Sequence, residues 1–334
     1  MRGLKSQVWE LLSEILRRIP QGVRGLKLNT GMRTDIPAYY SKWFCNRIRE
    51  GYVLVRNPYF PSQVTRYRLA PDVVDVLAFC TKNPAPMLLY MEEIAAFRQF
   101  WFVTITPYGK EIEPNVPDYR RVMESFRQLS DIVGHKAISW RYDPIFITER
   151  YTLAYHKEIF AEMAETLQGY TNQVVISFVD LYSKTIWNFP EVREVTAEER
   201  AEIGQFLARI GQQYGMTVRS CVEGTDLAQY GVDVSGCMTK SILERAVGTE
   251  LAVPKTKNPR QACDCLLGHD IGAYNTCGHF CRYCYANYDK QVVIENMKRH
   301  NPDSPFLIGG FQEDDQITEA KQVAYGTGQI VLEW

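Results

Sequence analysis

From about residue 23 the chain alternates short β-rich runs with amphipathic helical stretches, and this alternation limits its possible folds more than any other feature. Runs at 26–30, 52–56, 73–80, 101–106, 137–141, 174–179 and 216–220 are short and rich in β-branched or aromatic residues, as strands are. Helical periodicity fills 118–133, 151–167 and 197–214 between them. Strands separated by helices pack as parallel βαβ units, so the pattern predicts an α/β fold with a TIM-like or partial (β/α) barrel. The early repeats are less regular. Asn57-Pro58 and Phe60-Pro61 punctuate the second strand, and 64–69 is expected to fold back as a hairpin arm.

No low-complexity linker or repeat divides the chain. The expected organisation is an N-terminal amphipathic helix at 1–22, a barrel-like body at 23–220 and a cysteine-rich region at 221–334 continuous with that body. In the first segment Leu4, Val8, Leu11, Leu12, Ile15, Leu16 and Ile19 form one apolar stripe. Mixed charges beside it (Lys5, Glu10, Glu14, Arg17) favour a helix packed on the body over one lying on a membrane surface. With 334 residues, 46% of them hydrophobic and 12% aromatic, the chain can bury a large core.

Thirty-eight basic side chains against 39 acidic ones leave a net charge of −1, so no overall field recruits polyanions and nucleic-acid binding would need a local basic patch. No apolar run reaches the ~18 residues of a membrane span, and the N-terminus lacks the pattern of a secretion signal. These features predict a cytoplasmic protein.

Of the nine cysteines, Cys45 and Cys80 read as small core residues in apolar patterns, whereas the other seven crowd into one later region. A reducing cytoplasm argues against a disulfide framework, and metal ligation explains the clustering best. The decisive segment spaces Cys277, Cys281 and Cys284 as Cys-x3-Cys-x2-Cys, followed by aromatics. Thiolates are the usual ligands of iron–sulfur clusters, and three close ones can hold a [4Fe–4S] cluster with one iron open. A zinc site of three cysteines and a histidine is the competing account, but zinc motifs more often bring two separated cysteine pairs. Cys221, Cys237, Cys263 and Cys265 are enough for a second [4Fe–4S] cluster or for structural zinc. The tight Cys263-x-Cys265 spacing tilts this set toward the cluster and leaves both open.

Polar residues recur just beyond the strand-like runs. Arg33, Asp35, Arg141 and Asp143 are candidates to converge on a ligand at a barrel mouth, or else to brace neighbouring loops as Arg–Asp pairs. Arg56, Asn57, Lys82, Asn83, Tyr108 and Glu223 read as ordinary loop groups.

The stretch from Asp270 through Cys284 to Asn287 resembles the strand, cysteine loop and aromatic tail of radical S-adenosylmethionine enzymes related to spore photoproduct lyase. That resemblance implies a [4Fe–4S] cluster on Cys277, Cys281 and Cys284 with S-adenosylmethionine on its open iron. It further implies a 5′-deoxyadenosyl radical and a flavodoxin or ferredoxin as reductant. Tyr283 would flank the cofactor adenine, and a modified nucleobase or nucleic acid becomes a conceivable substrate. More globally, RTDIP at 33–37, GYVLVRNP at 51–58, TKNP at 81–84, EPNVP at 113–117 and WRYDP at 140–144 resemble a prokaryotic family defined only as a domain of unknown function. Radical enzymes carry the cluster loop after the first barrel strand, so its late position here implies a circular permutation. On that reading 306–310 is the next strand end, with Gly309 and Gly310 against the cofactor's amino group. The competing readings are a zinc- or iron–sulfur-stabilised binding protein and an electron-transfer or redox-sensing protein.

Overall fold

Six strands met in chain order line up side by side, and a seventh, met late, joins the free side of the first. The computed structural model describes residues 26–253, 265–266, 268–322 and 324–330, so the predicted helix at 1–22 and Cys263 lie outside the described residues. The strands are β1 (Leu26–Asn29), β2 (Tyr52–Arg56), β3 (Gln63–Arg68), β4 (Val74–Thr81), β5 (Gln99–Thr104) and β6 (Ile138–Ile145). They continue with β7 (Gln173–Phe178), β8 (Thr217–Ser220), β9 (Thr249–Leu251), β10 (His269–Asp270), β11 (Gln316–Glu319) and β12 (Gly326–Ile330). The main sheet has the order β10-β1-β4-β5-β6-β7-β8, with every neighbouring pair parallel. Among the described residues no pairing joins β8 to β10, so closure into a barrel is not seen.

The helices are α1 (Ile36–Tyr39), α2 (Ser41–Glu50), α3 (Ala85–Leu88), α4 (Tyr119–Val133), α5 (Leu153–Leu167), α6 (Ser183–Asn188), α7 (Ala197–Gln213), α8 (Lys240–Val247) and α9 (Lys290–Arg299). α4, α5 and α7 supply the crossovers that parallel neighbours require. Their starts are written locally. Asp118 and Thr152 each cap an orphan amide, and Thr196 with Glu199 forms a capping box.

Burial on both faces explains why the strand runs look almost wholly apolar. One face sets Leu77, Phe79, Trp101, Val103, Trp140, Val174 and Ile176 in the large core with the helices, and Phe79 stacks on Trp101 with ring centroids 3.9 Å apart. The opposite face presents Val76, Ala78, Phe100, Phe102 and Val175 to Ile242 and Leu243 of α8.

Two expectations about strand placement change. The run at 52–56 stays out of the main sheet and pairs antiparallel with β3, the predicted arm, while β11 adds to β3. The segment 306–310 is not the strand after the cysteine loop. Phe306 bridges Leu54 on the small sheet, Gly309 turns at φ 73°, and Ser304 Oγ donates to Gly309 O at 2.9 Å to close that turn. The place beside β10 is taken by β1, whose backbone pairs Leu28 with His269 and Asn29 with Asp270.

Candidate functional site

In a parallel sheet every strand ends on the same edge, so the segments that follow the strands share one space. β10 runs straight into the cysteine loop, and β1, β4, β5 and β6 deliver Asp35, Lys82, Glu113 and Asp143 to that same edge. Thr34 fastens the loop. Its hydroxyl lies 2.5 Å from Thr276 Oγ1, donates to Ala273 O at 2.8 Å and accepts from Ala273 N at 2.9 Å. Tyr40 donates to Thr276 O at 2.7 Å. Asn275 and Phe280 both adopt φ 56°, the left-handed region, curling the chain around the thiols. The Ala286 amide donates to Cys284 Sγ at 3.3 Å, the kind of bond that favours a thiolate ligand.

Asp35 is both helix cap and loop anchor. One oxygen accepts from Ala38 N at 3.0 Å, while the other takes Lys82 N and His279 Nε2, each at 2.7 Å. The other ring nitrogen of His279 lies 3.1 Å from the Tyr39 hydroxyl. Burial, with Cys277 and Asp35 nearby, raises the Tyr39 phenol far above its usual range, so it stays protonated. Both nitrogens of His279, the residue between the first two thiols, are thus occupied by protein groups. Arg33 serves the same loop. Its Nε donates to Asp270 Oδ2 at 2.6 Å and its Nη2 to Asp270 O at 2.8 Å.

A second network stands near Cys281. Lys82 Nζ donates to Glu113 Oε1 at 2.8 Å and to Thr106 Oγ1 at 3.0 Å, Thr106 donates to the same carboxylate at 2.8 Å, and the Tyr283 hydroxyl donates to it as well. Burial alone would lower Lys82, but Glu113, Cys281 and Asp143 outweigh it and raise its pKa. Tyr283 packs near Tyr108 and Phe146, with burial, Glu113 and Cys281 raising its phenol.

Arg141 Nε donates to Asp143 Oδ2 at 3.0 Å, and Ser177 donates to the other carboxylate oxygen. Burial works against the Asp143 carboxylate, yet Arg141, Ser177 and Lys82 together lower its pKa. Lys82 thus has both Cys281 and Asp143 as electrostatic neighbours. Arg141 in turn has Cys221, Cys237 and Cys80 among its electrostatic neighbours.

Two of the loop thiols, Cys277 and Cys281, are held in the protonated form. Burial, then Asp35 and Cys284, pushes Cys277 up to about 12, and burial with Glu113 raises Cys281 well above its usual range against the opposing Lys82. A bare thiolate is disfavoured here, and a bound cation would remove that penalty. Among the described residues no group of three or more His, Cys, Asp or Glu side chains is placed, as the chain stands, to hold a metal ion.

The sequence alone marks Lys82 only as loop chemistry and assigns no part to Thr34, Thr106 or Glu113. For Lys82, Thr106 and Glu113 the available signal is their place in the segments after β4 and β5, stiffened by Pro84, Pro107 and Pro114; Thr34 carries none of these marks. Gly309 and Gly310 sit apart on the small-sheet side, where Gly310 O accepts from Arg56 Nη2 at 3.1 Å.

Fold and site together define an α/β protein with a parallel sheet and a cysteine loop at the exit of an edge strand. Residues 28–286 match the family described as Domain of unknown function (DUF1848), and the chain belongs to that family. No curated protein matches the sequence.

Proposed function

We propose that this protein is a radical S-adenosylmethionine enzyme in which Cys277, Cys281 and Cys284 hold a [4Fe–4S] cluster. The observation that carries the reading is the position of the cysteine loop. It leaves the end of β10, a strand paired in parallel with β1, and so opens onto the edge where the other strands deliver their polar groups. Taken with β10 first, the sheet order follows the chain order, as in a partial (β/α) barrel that has been circularly permuted. When bound, the cluster would coordinate the amino and carboxylate groups of S-adenosylmethionine and supply the electron that releases a 5′-deoxyadenosyl radical.

The chain's own residues support that chemistry by holding geometry. Asp35, through His279, and Thr34, through Thr276, fix the loop. Lys82 and Glu113 set a buried ion pair beside Cys281, and Arg141 with Asp143 marks the part of the edge where a polar substrate group would be bound. A shallow groove on the outer side of the loop, lined by Tyr39, Asn115, Gly278, Phe280, Met297 and Lys298, offers a flavodoxin or ferredoxin an approach to the cluster. The substrate is left open, with a modified nucleobase among the candidates.

The test is anaerobic purification with iron and sulfide analysis, followed by an assay of the reduced protein with S-adenosylmethionine for 5′-deoxyadenosine. Cluster-dependent product that disappears in Cys281→Ala is the expected result. Product that persists in Cys281→Ala, or a reconstituted cluster that never cleaves the cofactor, would sink the reading. Reversible redox cycling without cleavage would instead indicate an electron-transfer protein.

A further inference from the structure

Cys237 Sγ lies 3.8 Å from Cys221 Sγ and 3.6 Å from Cys265 Sγ. The three thiols meet in an apolar cluster with Val76, Ala78, Phe100 and Phe102, on the sheet face turned away from the large helices. We propose that Cys221, Cys237 and Cys265 form a mononuclear thiolate site for a soft divalent cation, zinc foremost, that ties together the two outer strands of the main sheet.

The two sulfur–sulfur distances through Cys237 favour one metal ion over a cluster. In a tetrahedral zinc site with Zn–S bonds of about 2.3 Å, neighbouring thiolates stand about 3.8 Å apart. Thiolates on different irons of a [4Fe–4S] core are held apart by the whole inorganic unit and do not come into sulfur–sulfur contact. A disulfide would need the sulfurs at about 2.05 Å, and Cys237 can satisfy only one of its two neighbours in that way. The environment suits thiolates held by a cation. Cys237 and Cys265 are buried, and the Arg141 guanidinium is an electrostatic neighbour of Cys221 and Cys237.

Topology gives the site its purpose. Cys221 directly follows Ser220, the last residue of β8, and Cys265 shortly precedes β10, the strand at the opposite edge of the sheet. Backbone contacts already draw these segments together. Leu266 N donates to Met238 O at 2.9 Å and Met238 N to Cys265 Sγ at 3.2 Å, which joins the Cys237 and Cys265 segments, while Cys221 N donates to Ile176 O of β7 at 3.0 Å. No backbone ladder connects β8 with β10 among the described residues, so a metal held by these thiols would fasten the gap by side chains. It would thereby hold β10, and the cysteine loop that follows it, in register with β1. This site requires neither the radical chemistry nor the cluster proposed above.

The full-length chain carrying Cys277→Ala, Cys281→Ala and Cys284→Ala removes the loop thiols, so metal retained by it reports the second site. The expected result is about one equivalent of zinc, with no iron or acid-labile sulfide. Cobalt(II) in its place should give the intense thiolate-to-cobalt charge-transfer bands and visible ligand-field bands of a tetrahedral sulfur-rich site. Adding Cys237→Ser or Cys221→Ser should abolish both the zinc and the spectrum, whereas Cys45→Ser should leave them unchanged. Cys80→Ser tests the thiol bordering the same cluster as a fourth ligand. Iron and sulfide retained in equal amounts, and lost with Cys237→Ser, would overturn the proposal in favour of a second cluster. No metal uptake, or a disulfide through Cys237 in freshly isolated protein, would overturn it as well. Should Cys237→Ser fail to fold, X-ray absorption on the cobalt-loaded parent counts its sulfur ligands, and fewer than three would be decisive against it.

Discussion

His279 Nε2 lies 2.7 Å from Asp35 Oδ2, and both side chains are almost wholly buried. Since a carboxylate only accepts, Nε2 carries the hydrogen, and this bond fastens the cysteine loop to the first turn after β1. The residue between two proposed cluster ligands is thereby held by a group far away in sequence, so disturbing either partner should be felt at the loop.

Asp35→Ala removes a helix cap and leaves the His279 N–H and the Lys82 amide without their acceptor. The expected loss is about 2–4 kcal/mol of stability. Urea unfolding measures this loss, and iron incorporation during anaerobic reconstitution should fall in parallel. A stable variant with full iron content would show that the Asp35–His279 bond does not organise the loop.

Glu113 is buried and is the common acceptor for Lys82, Thr106 and Tyr283. Glu113→Ala strands the Lys82 ammonium and should cost about 3–5 kcal/mol, the range for breaking a buried pair from one side. The double variant Lys82→Met/Glu113→Gln removes both charges and keeps an acceptor for Tyr283, so it should recover much of that loss. Denaturation midpoints for the three proteins decide the matter; equal losses in the single and double variants would rule out a stranded charge as the cause.

His156 is fully buried, with Nδ1 2.7 Å from the Tyr142 hydroxyl and Nε2 2.9 Å from Phe146 O. Burial lowers its pKa to about 4, against a smaller raising effect of the Phe146 carbonyl. Because the unfolded chain binds this proton near pH 6.5, the neutral imidazole contributes its full stability above that value. The contribution drains away as pH falls toward 4, amounting to about 3 kcal/mol. Stability measured from pH 7 to pH 4 should therefore drop more steeply in the wild type than in His156→Gln, and parallel curves would contradict this.

Gly278 leaves room that its neighbours need. A Cβ there would stand 2.8 Å from Tyr39 Cε1 and 3.1 Å from Met297 Cε. Gly278→Ala should push the Tyr39 ring off His279 and cost about 1–3 kcal/mol, the usual range for overpacking. Thermal unfolding reads the cost, and a change in tyrosine near-ultraviolet circular dichroism reads the ring's displacement. An unshifted melting curve would mean that the loop has slack.

The sequence by itself determined the elements of the main sheet before β10, because each is encoded by near neighbours. Apolar β-branched runs mark β4 to β8, helical periodicity marks α4, α5 and α7, and Thr196 with Glu199 writes the start of α7 locally. The spacing of Cys277, Cys281 and Cys284 was equally legible, since all three lie on one short segment. Tertiary structure alone decided which distant segments meet. The two-residue strand β10 carries too little local pattern to be read except through the resemblance to radical S-adenosylmethionine enzymes, and its pairing with β1 sets the position of the cysteine loop. Whereas the grouping of Cys221, Cys237 and Cys265 is already expected from their clustering in the chain, the partners Asp35 and His279, and Lys82 and Glu113, are joined by hydrogen bonds and burial. Such contacts depend on the register of the whole sheet, and no local pattern in the chain records them.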